Sequence, residues 1–380
     1  MYDYIKGLKG LKYGTEEYRE KQREIHKIVA ARLYYMSNTC GGIYFKAGQY
    51  IGTLDRMAPK EYIEKLKCLQ DKGAELPFEQ VKVVYEHDIG CKIEDMFSEI
   101  DASPVASASL AQVHRAVLKS NGQEVAVKIQ YPQLRVQTKL DLFVLKLLIN
   151  GSHRAAVYYE NKSIDFRKFN EHFRKSLVKE LDFKQEVVNL ERTRNNFKNY
   201  DSLYLPKTYV MKSSSRTIVM EFCRGTKIDD IEKLKEEYGE NGPKKASNIL
   251  VNVFAKMIFN HGFVHCDAHP GNMMVRPNPK NPSEPQVVLL DHGFYCSLKD
   301  DFRKDFCKLW YALNTFDNLT IKQVSEKLGF GEYFRYMPLL FTYRTINAKK
   351  PLGGTITKDE INFLKGNDEI NFEKISLLLQ

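Results

Sequence analysis

Apolar residues recur at helical spacing through most of the first hundred positions. Thr15 precedes Glu16 and Glu17. Its hydroxyl can accept from the free N–H groups of a first turn, and two acids suit the positive end of a helix. The pattern predicts a helix from there to about Met36. Ala58–Gln70 and Phe78–Asp88 repeat the spacing, the second with Gly90 as its terminator. Gly41–Gly52, after the first helix, contains four glycines and is expected to bend.

The period then changes. Val113–Leu118 and Glu124–Gln130 are β-branched runs, and Asn121-Gly122 between them predicts a tight hairpin turn. Gln133–Ile149 returns to helical spacing. Asp165–Phe197 is a long charged helical stretch with one expected break. Leu205–Met211 and Arg216–Phe222 are expected strands around Ser213–Ser215. From Lys244 onward helix is expected again, interrupted by a loop at Phe263–Val275 and a strand at Val287–Leu290. Asn278–Pro285, rich in Pro and Asn, is expected to be a surface loop. Strands cluster in the middle with helices before and after, an α+β pattern.

Composition narrows this outline. A chain of 380 residues suits two domains or one bilobal unit, and 43% hydrophobic residues suffice for a core. Seven cysteines without a Cys-x-x-Cys pair point to reduced thiols, not to a disulfide framework or structural zinc. The net charge of +10 is compatible with an anionic ligand, an anionic membrane surface or nucleic acid. Nucleic acid is not an expected partner, because the basic residues are spread among acidic ones with no aromatic-interleaved cluster. No window reaches the roughly 18 to 20 apolar residues of a membrane span. Met1–Gly14 lacks the apolar centre of a secretory signal, so a soluble, unprocessed chain is expected.

Three motifs carry candidate chemistry. In His265-Cys266-Asp267-Ala268-His269-Pro270-Gly271-Asn272, an Asp and an Asn stand five positions apart in a polar loop. Phosphoryl transfer needs a carboxylate near the attacking hydroxyl and an amide oxygen able to hold Mg²⁺. Taken alone, the stretch is equally an Asx-rich turn, and its His, Cys and Asp match no common zinc spacing. Leu289-Leu290-Asp291-His292-Gly293 ends an apolar strand in Asp-x-Gly, which suits a metal bridging phosphates or, more simply, a strand-terminating turn. Val125-Ala126-Val127-Lys128 places a Lys in a strand, either as an edge charge or as a phosphate-pairing cation. Such a cation needs a helix-borne carboxylate. Glu186 qualifies, as do its neighbours.

The order Lys, Glu, Asp–Asn, Asp-x-Gly is the order a protein-kinase-like bilobal fold requires. It assigns Lys128 to nucleotide phosphates, Asn272 and Asp291 to Mg²⁺, and Asp267 to the reacting centre. Two features depart from an ordinary protein kinase. Pro104–Val113 replaces the glycine-rich loop with Ala106-Ser107-Ala108-Ser109, which permits less close approach of backbone to phosphate. Phe45-Lys46-Ala47-Gly48-Gln49 lies in a helical region that such a kinase does not need.

On these residues the chain resembles the UbiB/AarF family of atypical kinase-like proteins, in the branch with Asp-His-Gly for Asp-Phe-Gly. Lys46–Gln49 fits the family's Lys-x-Gly-Gln signature, Ala106–Ser109 its Ala-rich loop, and Glu180-Leu181-Asp182 its Glu-x-Asp signature. The resemblance implies a bilobal fold with a helical extension at 1–100 over the active site, an N-lobe at 101–222 and a helical C-lobe at 223–380. It places Lys46 and Gln49 near Glu180 and Asp182, and Glu221 at the hinge that meets adenine. It implies ATP or ADP and Mg²⁺ as cofactors, and ATPase or phosphotransferase activity. The alternative is a non-catalytic scaffold gated by nucleotide. The resemblance further implies a link to mitochondrial lipid or coenzyme Q homeostasis, with a lipid or membrane surface as a partner. Members usually carry a targeting segment ahead of the region matched here, and none is visible in this sequence.

Overall fold

Thr15 caps the helix that follows it. In the computed structural model its Oγ1 accepts from Tyr18 N at 3.2 Å. The structure describes residues 2–12, 14–52, 58–69, 75–160 and 180–342. The expectations for 165–179 and for the end of the C-lobe beyond 342 fall outside them. A short α1 (Tyr2–Gly7) precedes α2 (Glu16–Cys40), which runs four residues past its expected end.

The expected bend at Gly41–Gly52 is confined to its first two residues. Gly41 and Gly42 have φ of 64° and 49°, a region that favours glycine. The rest is α3 (Gly42–Gly52). Its remaining glycines serve close approach instead of turning. A Cβ on Gly48 would lie 2.5 Å from Leu69 Cδ1 and 2.8 Å from Ser37 Oγ, and one on Gly52 would lie 3.1 Å from the backbone of Leu66. With α4 (Lys60–Leu66), these helices bury Phe45, Leu66 and Leu69 together.

Helix α5 (Phe78–Ile89) ends at Gly90 in the left-handed conformation. A single turn, α6 (Ile93–Met96), leads into β1 (Phe97–Ile100), β2 (Ala106–Ser107), β3 (Ala111–Leu118) and β4 (Glu124–Gln130). Gly122 turns the β3–β4 hairpin at φ 68°. Then come α7 (Leu134–Glu160), α8 (Phe183–Asn196), β5 (Leu203–Tyr204) and β6 (Thr217–Glu221). The first sheet is antiparallel in the order β1-β3-β4-β6, with β2 also on β3. Val125, Val127 and Ile129 of β4 join Val81, Val84 and Tyr85 of α5 in one core. Strand alternation sends Lys128 to the other face, where Phe183 of α8 packs with Ile218 and Met220.

The expected strand at Leu205–Met211 is reduced to an isolated antiparallel bridge, Thr208 opposite Met220. Pro206 has no N–H to give a ladder, and 210–212 closes into a 3₁₀ turn. A second sheet has the order β5-β10-β9-β7, from β7 (Thr226–Lys227), β9 (Met273–Asn278) and β10 (Asn281–Leu289). Asn278–Pro285, expected as a surface loop, is the tip of the β9–β10 hairpin, with a register shift between Asn281 and Pro285.

The chain divides into two compact units, Met1–Leu250 with Asp267–Phe294, and Val251–Cys266 with Tyr295–Gln380. The expected C-lobe residues are thus shared between the two. The second unit contains a two-stranded sheet of β8 (Phe263–His265) and β11 (Tyr295–Ser297). Its helical core gathers Leu309, Leu313, Ile321, Val324 and Met337.

Candidate active site

All the site residues described below belong to the first unit. Lys128, opposite Val113 and Ile218 in the sheet, is buried. Its Nζ donates to Glu186 Oε1 at 2.8 Å, to Glu186 Oε2 at 2.9 Å and to Asp291 Oδ2 at 2.9 Å. It also lies 4.9 Å from the centre of the Phe183 ring. Burial by itself would lower the ammonium, but Asp291 and Glu186 outweigh it and hold Lys128 above its ordinary value. Glu186 sits in the first turn of α8. Burial pushes its carboxyl up to about 7, helped by the charge of Asp291 and opposed by Lys128.

The Asp-His-Gly turn is built around these groups. Asp291 Oδ1 accepts from Gly293 N at 2.8 Å. A Cβ at Gly293 would lie 3.2 Å from that oxygen. His292 is fully buried and anchors the turn: its carbonyl accepts from Asn189 of α8 at 3.0 Å, and its Nε2 is 3.3 Å from Leu289 O. The loop that carries Asp267 and Asn272 is tied to the same turn, because Leu290 N donates to Asn272 O at 3.0 Å. A 3₁₀ turn at Pro270–Asn272 carries the half-buried Asn.

Lys46 of α3 reaches the same centre. Its Nζ donates to Asp267 Oδ2 at 2.7 Å and lies 3.1 Å from Glu180 Oε2. Burial would lower Lys46, and Glu180 and Asp267 outweigh it, so its pKa is raised. Glu180 is raised by burial, partly offset by Lys46. The centre therefore joins two ammonium groups, Lys46 and Lys128, to four carboxylates, Glu180, Glu186, Asp267 and Asp291. That leaves an excess of two negative charges when all are ionised.

The alanine-rich loop is fixed by backbone pairing and by the Tyr131 side chain. Ala106 and Ser107 pair with Val113 and Gln112. Ala108 N donates to Ala111 O at 2.8 Å, closing a tight turn over the buried Ser109. Tyr131 bonds Ser107 Oγ at 2.9 Å and donates to Ala108 O at 3.1 Å.

Three expected site residues bond elsewhere. Gln49 Nε2 donates to Leu69 O at 3.0 Å. Asp182 caps α8 through Lys184 N at 3.1 Å. Glu221 accepts from Tyr204 Oη and, at 3.3 Å, from Lys207 N, so its carboxylate belongs to the strand end. Sequence reasoning missed Gln112, Gln130 and Asn189. Gln130 Nε2 donates to Leu181 O at 2.9 Å, setting the turn that carries Glu180. Gln112 accepts from Leu76 N and donates to Leu76 O, both at 3.1 Å, and lies 2.9 Å from His114 Nε2. Uncharged amides inside apolar strands were the only signal for the first two.

A strand Lys held between a helix Glu and an Asp-x-Gly carboxylate, beside an Asp–Asn loop, is a kinase-like arrangement. Sequence comparison agrees. Residues 68–325 match the ABC1 atypical kinase-like domain, and the chain belongs to that family. It is 35% identical over 380 residues to "AarF domain-containing protein kinase 1" of Xenopus laevis, covering 100% of this chain and 71% of the relative. The Drosophila melanogaster "AarF domain-containing kinase 1" is 34% identical over 375 residues, 96% of this chain and 69% of its own length. In fold, the chain is similar to a protein in the Rv3197–erythromycin complex from Mycobacterium tuberculosis. The TM-score is 0.52 at 23% identity, over 82% of this chain and 75% of that one.

Proposed function

We propose that the first unit binds Mg·ATP and transfers or hydrolyses its γ-phosphoryl group. The observation that carries this reading is Lys128, buried and held by both Glu186 and Asp291. The residues fit the cofactor. The site has an excess of carboxylate for a dication, its donors are hard oxygens, and His269 Nδ1 is buried with no hydrogen-bond partner among the described residues. Among those residues no cluster of three His, Cys, Asp or Glu side chains forms a metal cage.

Bound Mg²⁺ would neutralise charge developing on the phosphoryl oxygens. Asp291 and Asn272 would hold it, freeing Lys128 from Asp291 to face the phosphates while Glu186 keeps its position. Ala106–Ser109 would cover the phosphates. Asp267 would take the proton of the attacking hydroxyl once Lys46 releases it. The test is phosphate release from Mg·ATP by the purified chain against Asp291→Asn. Loss of most turnover is expected, and equal turnover overturns the proposal.

The Lys46–Asp267 bond supports a second reading, a nucleotide-gated scaffold in which binding moves α3 without chemistry. Nucleotide-dependent thermal stabilisation without any phosphate release would decide for it. For either reading we propose an anionic lipid surface as the partner, in the setting of mitochondrial lipid or coenzyme Q homeostasis. Val136, Leu140, Phe143 and Leu147 form an exposed apolar stripe on α7, beside exposed Lys139 and Lys146.

A further inference from the structure

A cavity of about 520 Å³ opens beside the alanine-rich loop, within the range of small-molecule sites. It borders the loop assigned to phosphates, but Lys128, Glu186, Asp267 and Asp291 are not among its described lining residues. Its apolar walls are Phe45 of α3, Leu76 and Val83 at α5, and Leu134 at the start of α7. Ala108 and Ser109 form another wall.

The chemistry of the lining selects the ligand. Fifteen described residues line the cavity, and none of them is Asp, Glu, Lys, Arg or His, although 28% of the chain is charged. An ion entering it would lose hydration and meet no countercharge among these described residues. The polar groups present are neutral. The amides of Asn38, Gln80 and Gln133 stand at the rim and make no hydrogen bond among the described residues. They can donate to, and accept from, an uncharged polar group.

We propose that this cavity is a second ligand site, for a neutral molecule with an apolar body and a hydrogen-bonding group at one end. The walls tie such a ligand to the rest of the unit. Phe45 precedes Lys46 on the same helix. Gln112 clasps Leu76 by both backbone groups while pairing with Ser107 across the sheet. A ligand touching Leu76, Phe45 and Ala108 therefore contacts both the helix that engages Asp267 and the loop assigned to phosphates. By linkage, nucleotide and ligand then alter each other's affinity by the same factor. This coupling rests on the nucleotide reading above; the ligand site itself does not.

The test uses two dyes that differ by one sulfonate, neutral N-phenyl-1-naphthylamine and anionic 8-anilino-1-naphthalenesulfonate, titrated by fluorescence without nucleotide. The neutral dye should saturate at one equivalent and the anionic dye should bind at least about tenfold more weakly. Val83→Glu and Gln80→Lys, both at exposed positions of α5, should each weaken the neutral dye by about tenfold, while Val210→Lys, an exposed position elsewhere, should not. Matched melting curves confirm the fold. Repeating the titration with Mg·ATP should shift the neutral dye's affinity by at least about threefold. No saturable binding, equal binding of the two dyes, or unchanged binding in both α5 variants overturns the site. Dye binding that ignores Mg·ATP overturns the coupling alone, and a chain that takes up dye but no nucleotide overturns the nucleotide reading alone.

Discussion

Replacing Lys46 by Met removes the cation shared by Asp267 and Glu180 and keeps most of the aliphatic stem. The Nζ lies 2.7 Å from Asp267 and 3.1 Å from Glu180. The Glu180 side chain is 10% exposed and that of Asp267 is 29% exposed, so Glu180 is the group left stranded. Breaking a buried pair costs about 3–5 kcal/mol. Asp267 can be rehydrated, and Glu180, already raised by burial, can take up a proton. Both escapes place the expected loss at about 3 kcal/mol near neutral pH, at the low end of that range. Urea unfolding followed by circular dichroism measures it. Lys46→Met with Glu180→Leu removes both partners and should recover most of the loss. Phosphate release from Mg·ATP should rise in the single variant, because Asp267 is freed. A stability change under about 0.5 kcal/mol, or a double variant no better than the single one, refutes the buried pair. Turnover falling to the Asp291→Asn level would place Lys46 on the nucleotide and refute the latch.

Gly48→Ala should destabilise by about 1–2 kcal/mol in the same assay, because overpacking against Leu69 and Ser37 exceeds the gain in helix propensity; a more stable variant would show that α3 can shift freely. Glu186 lies at about 7 in the fold against an ordinary 4.5. A raised value means its contribution is full below about pH 4.5 and is lost as pH rises through about 7. Relative to Glu186→Gln, the wild type should therefore lose up to about 3 kcal/mol over that interval, and a pH-independent difference would contradict the burial argument. Phe143→Ser should cut flotation with vesicles rich in anionic lipid several-fold without changing the melting temperature; unchanged flotation rules out the α7 stripe as the lipid surface.

Periodicity made much of the fold legible in advance. Thr15, Gly90 and Asn121-Gly122 punctuate helices and a hairpin where local chemistry alone decides. The failures share one cause, which is that tertiary contact decided instead. Gly48 and Gly52 look like a bend in the sequence because glycine disfavours helix, yet they lie inside one. Leu69, Ser37 and the Leu66 backbone come too close for a side chain there, and no local pattern records that approach. The Leu205–Met211 run has strand-like composition, but it meets β6 through the isolated Thr208–Met220 bridge before Val210–Lys212 turns away.

The site divides along the same line. The order of Lys128, Glu186, Asp267, Asn272 and Asp291 along the chain was readable, since a fixed topology needs fixed order. Which oxygen each cation would meet was not. Asp182 and Gln49 share motifs with Glu180 and Lys46, but a helix cap and a carbonyl claim them. A motif records that residues travel together, and only the backbone decides which side chain faces inward. Here the backbone brings Lys46 and Lys128 to Asp267 and Asp291, the two carboxylates to which the proposed function gives chemistry. Each ammonium holds a carboxylate that Mg·ATP would need, Asp291 under Lys128 and Asp267 under Lys46. The two locks differ in kind. On the proposed reading, opening the first would be intrinsic to binding, because phosphates would give Lys128 new partners. Opening the second gives Lys46 none unless α3 also moves. On that reading, binding and turnover would be separated in this molecule by what moves α3.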